Sequence, residues 1–207
     1  DQLPEDALQN LQQCATANGA DITLGDYIIR TPKGDALGGV VNIDNSNALL
    51  AKVLTGEVHA SLWNKLIRRS LYEGLSFEPE INFMEDKLIL VKILLKNNIT
   101  ISCIKQPVYI YNQRNDSYSN EMSKRSLSDS ASATNLICKL VRNFYPPDFV
   151  QHISNLNRVM VLFHSKDPIK ELTPLRDRII IKDSNIQILK RLVVLTLLLR
   201  LSLPLNV

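Results

Sequence analysis

Residues 57–90, EVHASLWNKLIRRSLYEGLSFEPEINFMEDKLIL, are the stretch on which the reading of this chain turns. Glu85 and Asp86 head a strongly apolar run in which Leu88, Ile89, Val91, Ile93, Leu94 and Leu95 cover most of a helical circumference. A helix apolar nearly all round is buried on several sides, so the spacing predicts a central helix over about Asp86–Lys96, stopped by Asn97-Asn98. Acidic side chains at a helix start are favoured by the macrodipole, so capping alone accounts for the pair as well as chemistry does. Upstream, SLWNKLIRR fits neither the helical nor the strand period cleanly. It reads as a strand through Trp63–Ile67 followed by a short helix from Ser70.

Working outward, Leu3-Pro4-Glu5-Asp6 opens a helix with Leu8, Leu11 and Ala15 on one face, closed by Gly19. DITLGDYIIR, Asp21–Arg30, reads as a strand bounded by the turn Thr31-Pro32-Lys33-Gly34. Next come a short extended piece at Gly38–Ile43 and a helix over Asn47–Leu54, ended by Gly56. Beyond the central helix, Thr100–Ile104 and Val108–Asn112 read as two strands separated by Gln106-Pro107. Arg114–Ser132 is polar and serine-rich, a loop and then the start of a helix. Two helices broken by Pro146-Pro147 reach Phe163, Asp167–Asp183 reads as exposed, and Ile186–Leu203 is a basic, leucine-rich tail. That tail suits a membrane surface, a partner helix or packing on the rest of the chain better than a membrane span, because Lys190, Arg191 and Arg200 interrupt it.

At 207 residues with 45% hydrophobic and 22% charged side chains, the chain can bury a real core. A formal charge of +3 gives no case for nucleic-acid binding. Cys14, Cys103 and Cys138 lack any CxxC spacing and read as buried free thiols, which suits a reducing compartment. His59, His152 and His164 lack metal-ligand spacing. The chain does not begin with Met, and an upstream portion is expected.

Three segments stand in order: Trp63-Asn64-Lys65-Leu66, Phe83-Met84-Glu85-Asp86, and a strand and loop with Tyr109, Tyr111, Arg114, Ser117 and Ser119. This ordered set resembles the second half of the family 2 inverting glycosyltransferases. The opening Asp1-Gln2-Leu3-Pro4-Glu5-Asp6 is similar to the segment just after the metal motif in that family. The resemblance covers roughly residues 1–120. It implies an α/β protein, the C-terminal, acceptor-side half of a GT-A fold with a mixed sheet over 1–120, and a helical extension over 121–207.

The functional implications of the resemblance are concrete. Asp86 would be the general base that deprotonates an acceptor hydroxyl, with Glu85 beside it positioning the site or binding acceptor. Trp63, Asn64 and Lys65 would line the substrate site, and Arg114, Ser117 and Ser119 would close over a diphosphate. Asp1 would be the last acid of a site for a divalent cation, Mg²⁺ or Mn²⁺. The donor is expected to be a nucleotide-sugar, UDP-linked, and the acceptor a glycan or lipid-linked sugar. Work of that kind belongs to cell-surface polysaccharide synthesis in the bacterial cytoplasm, at the inner face of the membrane, where residues 186–203 would make peripheral contact. The nucleotide-binding half would lie upstream, so these residues alone are expected to be inactive.

Each residue also has a plainer account. Trp63 fits a core aromatic, Asn64 a local cap, Lys65 a solvated strand residue, Arg68 and Arg69 surface charges, Ser117 and Ser119 turn residues, and His59 a structural group. The rival from another class is a non-catalytic α/β interaction module with a partner- or membrane-binding C-terminal helix.

Overall fold

The strand β1 (Ile22–Thr31) pairs with every other strand of the sheet. We describe it from a computed structural model that covers residues 1–39, 43, 45–113, 123–164, 177, 179, 180, 182–187, 190, 191, 194 and 195. These divide into two compact units, 1–78 with 85–117, and 79–84 with 118–207. Among the described residues the fold is mixed α/β.

In the first unit, helix α1 (Ala7–Asn18) ends at Gly19, whose left-handed φ of 58° lets its N–H reach back to Ala15 and Thr16. β1 then forms a hairpin with β2 (Gly34–Gly38), helix α2 (Ser46–Thr55) comes next, and β3 (Lys65–Ile67) returns to β1. A 3₁₀ turn at Arg69–Tyr72, helix α3 (Glu85–Leu94) and strand β4 (Ile101–Asn112) complete it. Strand β4 runs parallel to β1 along nearly its whole length. The other pairings are antiparallel and divide β1 between them, β3 against Ile22–Leu24 and β2 against Tyr27–Thr31. The sheet is therefore mixed, as expected from the sequence.

Between β3 and β2, Asn64 serves the uncovered backbone. Its carbonyl accepts from the Gly25 N–H at 3.0 Å, and its side-chain N–H donates to the Gly25 carbonyl at 2.8 Å. A side-chain amide thus replaces a backbone donor, and both Gly25 peptide groups stay paired in the interior. Where β1, β3 and β4 begin and end together, Asp21 accepts from the Thr100 N–H and hydroxyl at 3.0 and 2.9 Å and from Arg68 Nε at 2.6 Å. These bonds, the Thr100 backbone first, hold the Asp21 carboxyl below its ordinary range against the opposing effect of burial.

Several expectations need correction. Leu8 is 61% exposed, and the helix buries Ala7 and Leu11 instead, an i, i+4 pair that packs with Val108. The two strands expected around Gln106-Pro107 are one, with a bulge that pairs Gly25 with Ile104 but Tyr27 with Tyr109. Proline has no N–H for the ladder, and the bulge leaves Lys105, Gln106 and Pro107 exposed. Extended structure also begins earlier than expected, at Gly34, with residues 40–42 outside the described set. All three cysteines are free thiols but only partly buried.

In the second unit, α4 (Lys124–Val141) packs against α5 (Pro147–His164). Val159 and Leu162 of α5 form a core with Ile180, Ile186 and Val194. The segment expected to be exposed carries two fully buried residues, Asp177 and Ile180. Asp177 is accounted for by Arg158, which donates to it through Nε and Nη2 at 2.8 and 3.0 Å. Ile186 and Val194 come from the apolar tail, and their burial favours packing as the use of at least that part of it. Among the described residues no helix is long and apolar enough to cross a membrane.

Gly25 is set by close approach. A Cβ there would lie 2.6 Å from Cγ1 of the buried Val108. Gly25→Ala is expected to destabilise the chain by about 1–3 kcal/mol, read as a fall in the urea midpoint. Val108→Ala added to it should recover part of that loss, and additive effects of the two changes would refute the contact.

Candidate functional site

Met84, immediately before the acidic pair, has a φ of 68°, left-handed backbone that a non-glycine residue adopts at a cost. Helix α3 then starts at Glu85, with Asp86 in its first turn. Glu85 is exposed, whereas Asp86 is half-buried and accepts from the backbone N–H of Leu62 at 3.3 Å. That bond joins two segments the sequence holds 24 positions apart.

Leu62 belongs to a loop, residues 59–65, folded around its own lysine. Lys65 Nζ donates to the His59 carbonyl at 2.9 Å, the Ser61 carbonyl at 2.6 Å and Asn64 Oδ1 at 2.8 Å. The ammonium has three donors, and all three are spent on the loop. Burial pulls the Lys65 amine down to about 7, against the attraction of the Asp86 carboxylate. His59 is likewise held below its ordinary value, first by burial and then by the Lys65 charge, with Asp86 opposing. Its Nδ1 lies 2.7 Å from the Ser61 hydroxyl.

The loop presents Trp63 to the sheet. Its ring stacks on Tyr109 at 4.3 Å, lies parallel to Tyr111 at 6.1 Å and meets Tyr27 edge-on at 4.9 Å. Tyr27 and Tyr109 are register partners on β1 and β4, and Tyr111 stands at the next position on the same side of the strand. All four rings are half-buried, which leaves an aromatic surface outside the hydrophobic core, its Trp63 next in sequence to the Leu62 that bonds Asp86. Burial raises the Tyr27 and Tyr109 phenols, which therefore stay protonated at neutral pH.

Of the residues singled out from the sequence, Trp63, Asn64, Lys65 and Asp86 come together here. Asn64 and Lys65 turn inward to the chain's own backbone, so neither of those polar ends faces a ligand. Asp1 lies at the end of β4, where its Oδ1 accepts from the Asn112 N–H at 3.2 Å. Arg114, Ser117 and Ser119 lie outside the described residues. The reading of the sequence did not assign Tyr27, Tyr109, Tyr111 or the Leu62 N–H to the site. The alternation Tyr-x-Tyr on a strand was a signal for two of them, but Tyr27 depends on strand pairing.

Among the described residues no three His, Cys, Asp or Glu side chains converge to hold a metal ion. Asp1 alone supplies one carboxylate, which does not make a divalent-cation site. A separate open groove of about 610 Å³ lies between α1 and β3, lined by residues including Gln12, Thr16, Asp21, Leu66 and Arg68. It includes none of the aromatic group.

No protein-family model matches this chain, and no curated protein matches it.

The buried amine has a stability consequence. Between about pH 7 and the ordinary lysine value of 10.5, the unfolded chain carries a proton that the folded chain lacks. Folding is therefore favoured as pH rises through that window, by at most about 1.4 kcal/mol per pH unit, and the penalty is fully present below it. Urea denaturation at both ends of the window should show this rise in the native chain and a flatter profile in Lys65→Met. Equal profiles would exclude it.

Proposed function

We propose that the chain is the acceptor-side part of an inverting glycosyltransferase that moves a sugar from a nucleotide-sugar to a glycan or lipid-linked acceptor. The observation that carries this reading is the meeting of Asp86, through the Leu62 N–H, with the loop whose Trp63 stacks on Tyr109. A carboxylate next to a flat, half-exposed aromatic surface is what a sugar hydroxyl and the apolar face of its ring require.

In this reading Asp86 takes the proton of the acceptor hydroxyl as that oxygen forms its bond to the anomeric carbon. The bond from that carbon to the diphosphate oxygen breaks on the opposite face, and the electron pair leaves with the nucleotide. The Leu62 N–H fixes one carboxylate oxygen, so the other is the one aimed at substrate. Trp63 and the tyrosines seat the acceptor ring. Arg114, Ser117 and Ser119 close over the diphosphate, and Glu85 borders the acceptor.

A divalent cation, Mg²⁺ or Mn²⁺, would neutralise charge on the leaving diphosphate. Asp1 would contribute one ligand, and the others and the nucleotide pocket would come from upstream of residue 1. Work at a membrane surface stays part of this reading by analogy alone.

The second reading is a non-catalytic interaction module. What favours it is that an open groove lies between α1 and β3, with no part of Asp86 in its lining.

Calorimetry of UDP with Mn²⁺, on this chain and on a version extended upstream, separates the two. The extended protein is expected to bind, and Arg114→Ala to weaken binding. Asp86→Asn should leave UDP affinity unchanged while transfer falls by a factor of about 10²–10⁴. An extended protein that ignores UDP with and without metal would remove the transferase reading.

A further inference from the structure

We propose that Lys65 is a positioning residue: its ammonium gathers the loop that carries Trp63 and gives the Leu62 N–H to Asp86, and loss of its proton loosens that loop. The geometry is that of a cage. Two main-chain carbonyls and the Asn64 side-chain oxygen converge on one nitrogen at 2.6–2.9 Å. Asn64 is in turn tied to Gly25 of β1 at 2.8 Å, so the cage is anchored to the central strand. The loop closes on itself through the Lys65 N–H, which donates to the Leu62 carbonyl at 3.0 Å.

An ammonium satisfies three acceptors, whereas a neutral amine has two donors and a lone pair. Deprotonation therefore leaves one of the three oxygens facing that lone pair without a hydrogen, and a buried acceptor without a donor is costly. The residues between the cage oxygens are the ones that aim Trp63 and Leu62, so release is felt at both.

The charged and titratable groups facing Lys65 are His59 on its own loop and Asp86 on α3, with Tyr72 coupled through Asp86. Tyr27, Tyr109 and Tyr111 surround Trp63 from β1 and β4. His59 titrates below its ordinary value, and the Tyr27, Tyr72 and Tyr109 phenols above theirs. A step near neutrality that depends on Lys65 therefore has a distinct place in the titration.

Trp63 is the chain's sole tryptophan, so its emission reports on this loop alone. We expect emission of the 207-residue chain, measured from about pH 5.5 to about 9.5, to change in one step with a midpoint near 7. His59→Gln should keep that step and Lys65→Met should lose it. A flat native titration, or the same step in Lys65→Met, overturns the proposal. If Lys65→Met does not fold, ¹³C-lysine NMR of the native chain decides. A lysine Cε signal titrating near neutrality supports the proposal, and its absence overturns it.

The consequence for transfer rests on the proposed role of Asp86: in an extended, active protein kcat should fall about tenfold per pH unit above the midpoint, with donor KM unchanged. The emission titration needs no substrate. Its failure and the failure of the transferase reading are therefore separate results.

Discussion

Everything in the first unit depends on how β4 lies against β1. Before the bulge the strands pair Gly25 with Ile104; after it they pair Tyr27 with Tyr109, so three residues are inserted in β4 across two positions of β1. An odd insertion changes which alternate residues of β4 pair with the odd-numbered residues of β1. Thr23 and Ser102 share one side before the bulge and are joined by a 2.7 Å hydroxyl contact. Beyond it the odd-numbered Tyr109 and Tyr111 pair with Tyr27 and Ile29. Val108 fits over the bare Cα of Gly25 at the bulge. A regular strand would have put these tyrosines on the opposite face from Tyr27, and Trp63 would have had no platform.

The second constraint is electrostatic. Asp86, Lys65 and His59 lie within mutual influence, and burial weighs against charge on the two bases. The loop answers with oxygen atoms rather than with a close ion pair. The ammonium is thereby kept from the carboxylate, which retains a single described protein donor, the Leu62 N–H. A direct Lys65–Asp86 pair would have occupied the same carboxylate and left less of it for other use.

Much of this was legible in the sequence. The apolar circumference after Asp86, the glycine stop at Gly19 and the hairpin turn before Gly34 each carry local physics that a sequence displays. The meeting of the WNKL segment with the acidic pair was reached through resemblance, because nothing local to either segment points to the other. Leu8 misled, since Leu8, Leu11 and Ala15 match a helical face as well as Ala7 and Leu11 do, and only the position of Val108 chooses between them. Lys65 misled more fully: a lysine beside a strand is usually solvated, and the acceptors that hold this one are mostly main-chain atoms, invisible to residue type.

Because β1 pairs with all three other strands among the described residues, its length is fixed in a way theirs is not. An added residue in β2 or β3 disturbs one pairing, and β4 already absorbs its extra residues in the exposed stretch at Lys105–Pro107. An added residue within β1 would have to be matched on both edges at once, and by the Asn64 bridge between them. The freedom of this chain to change length during descent therefore lies in its turns and in the outer strands. The spacing between Asp21 and Arg30 is the interval that must be inherited intact.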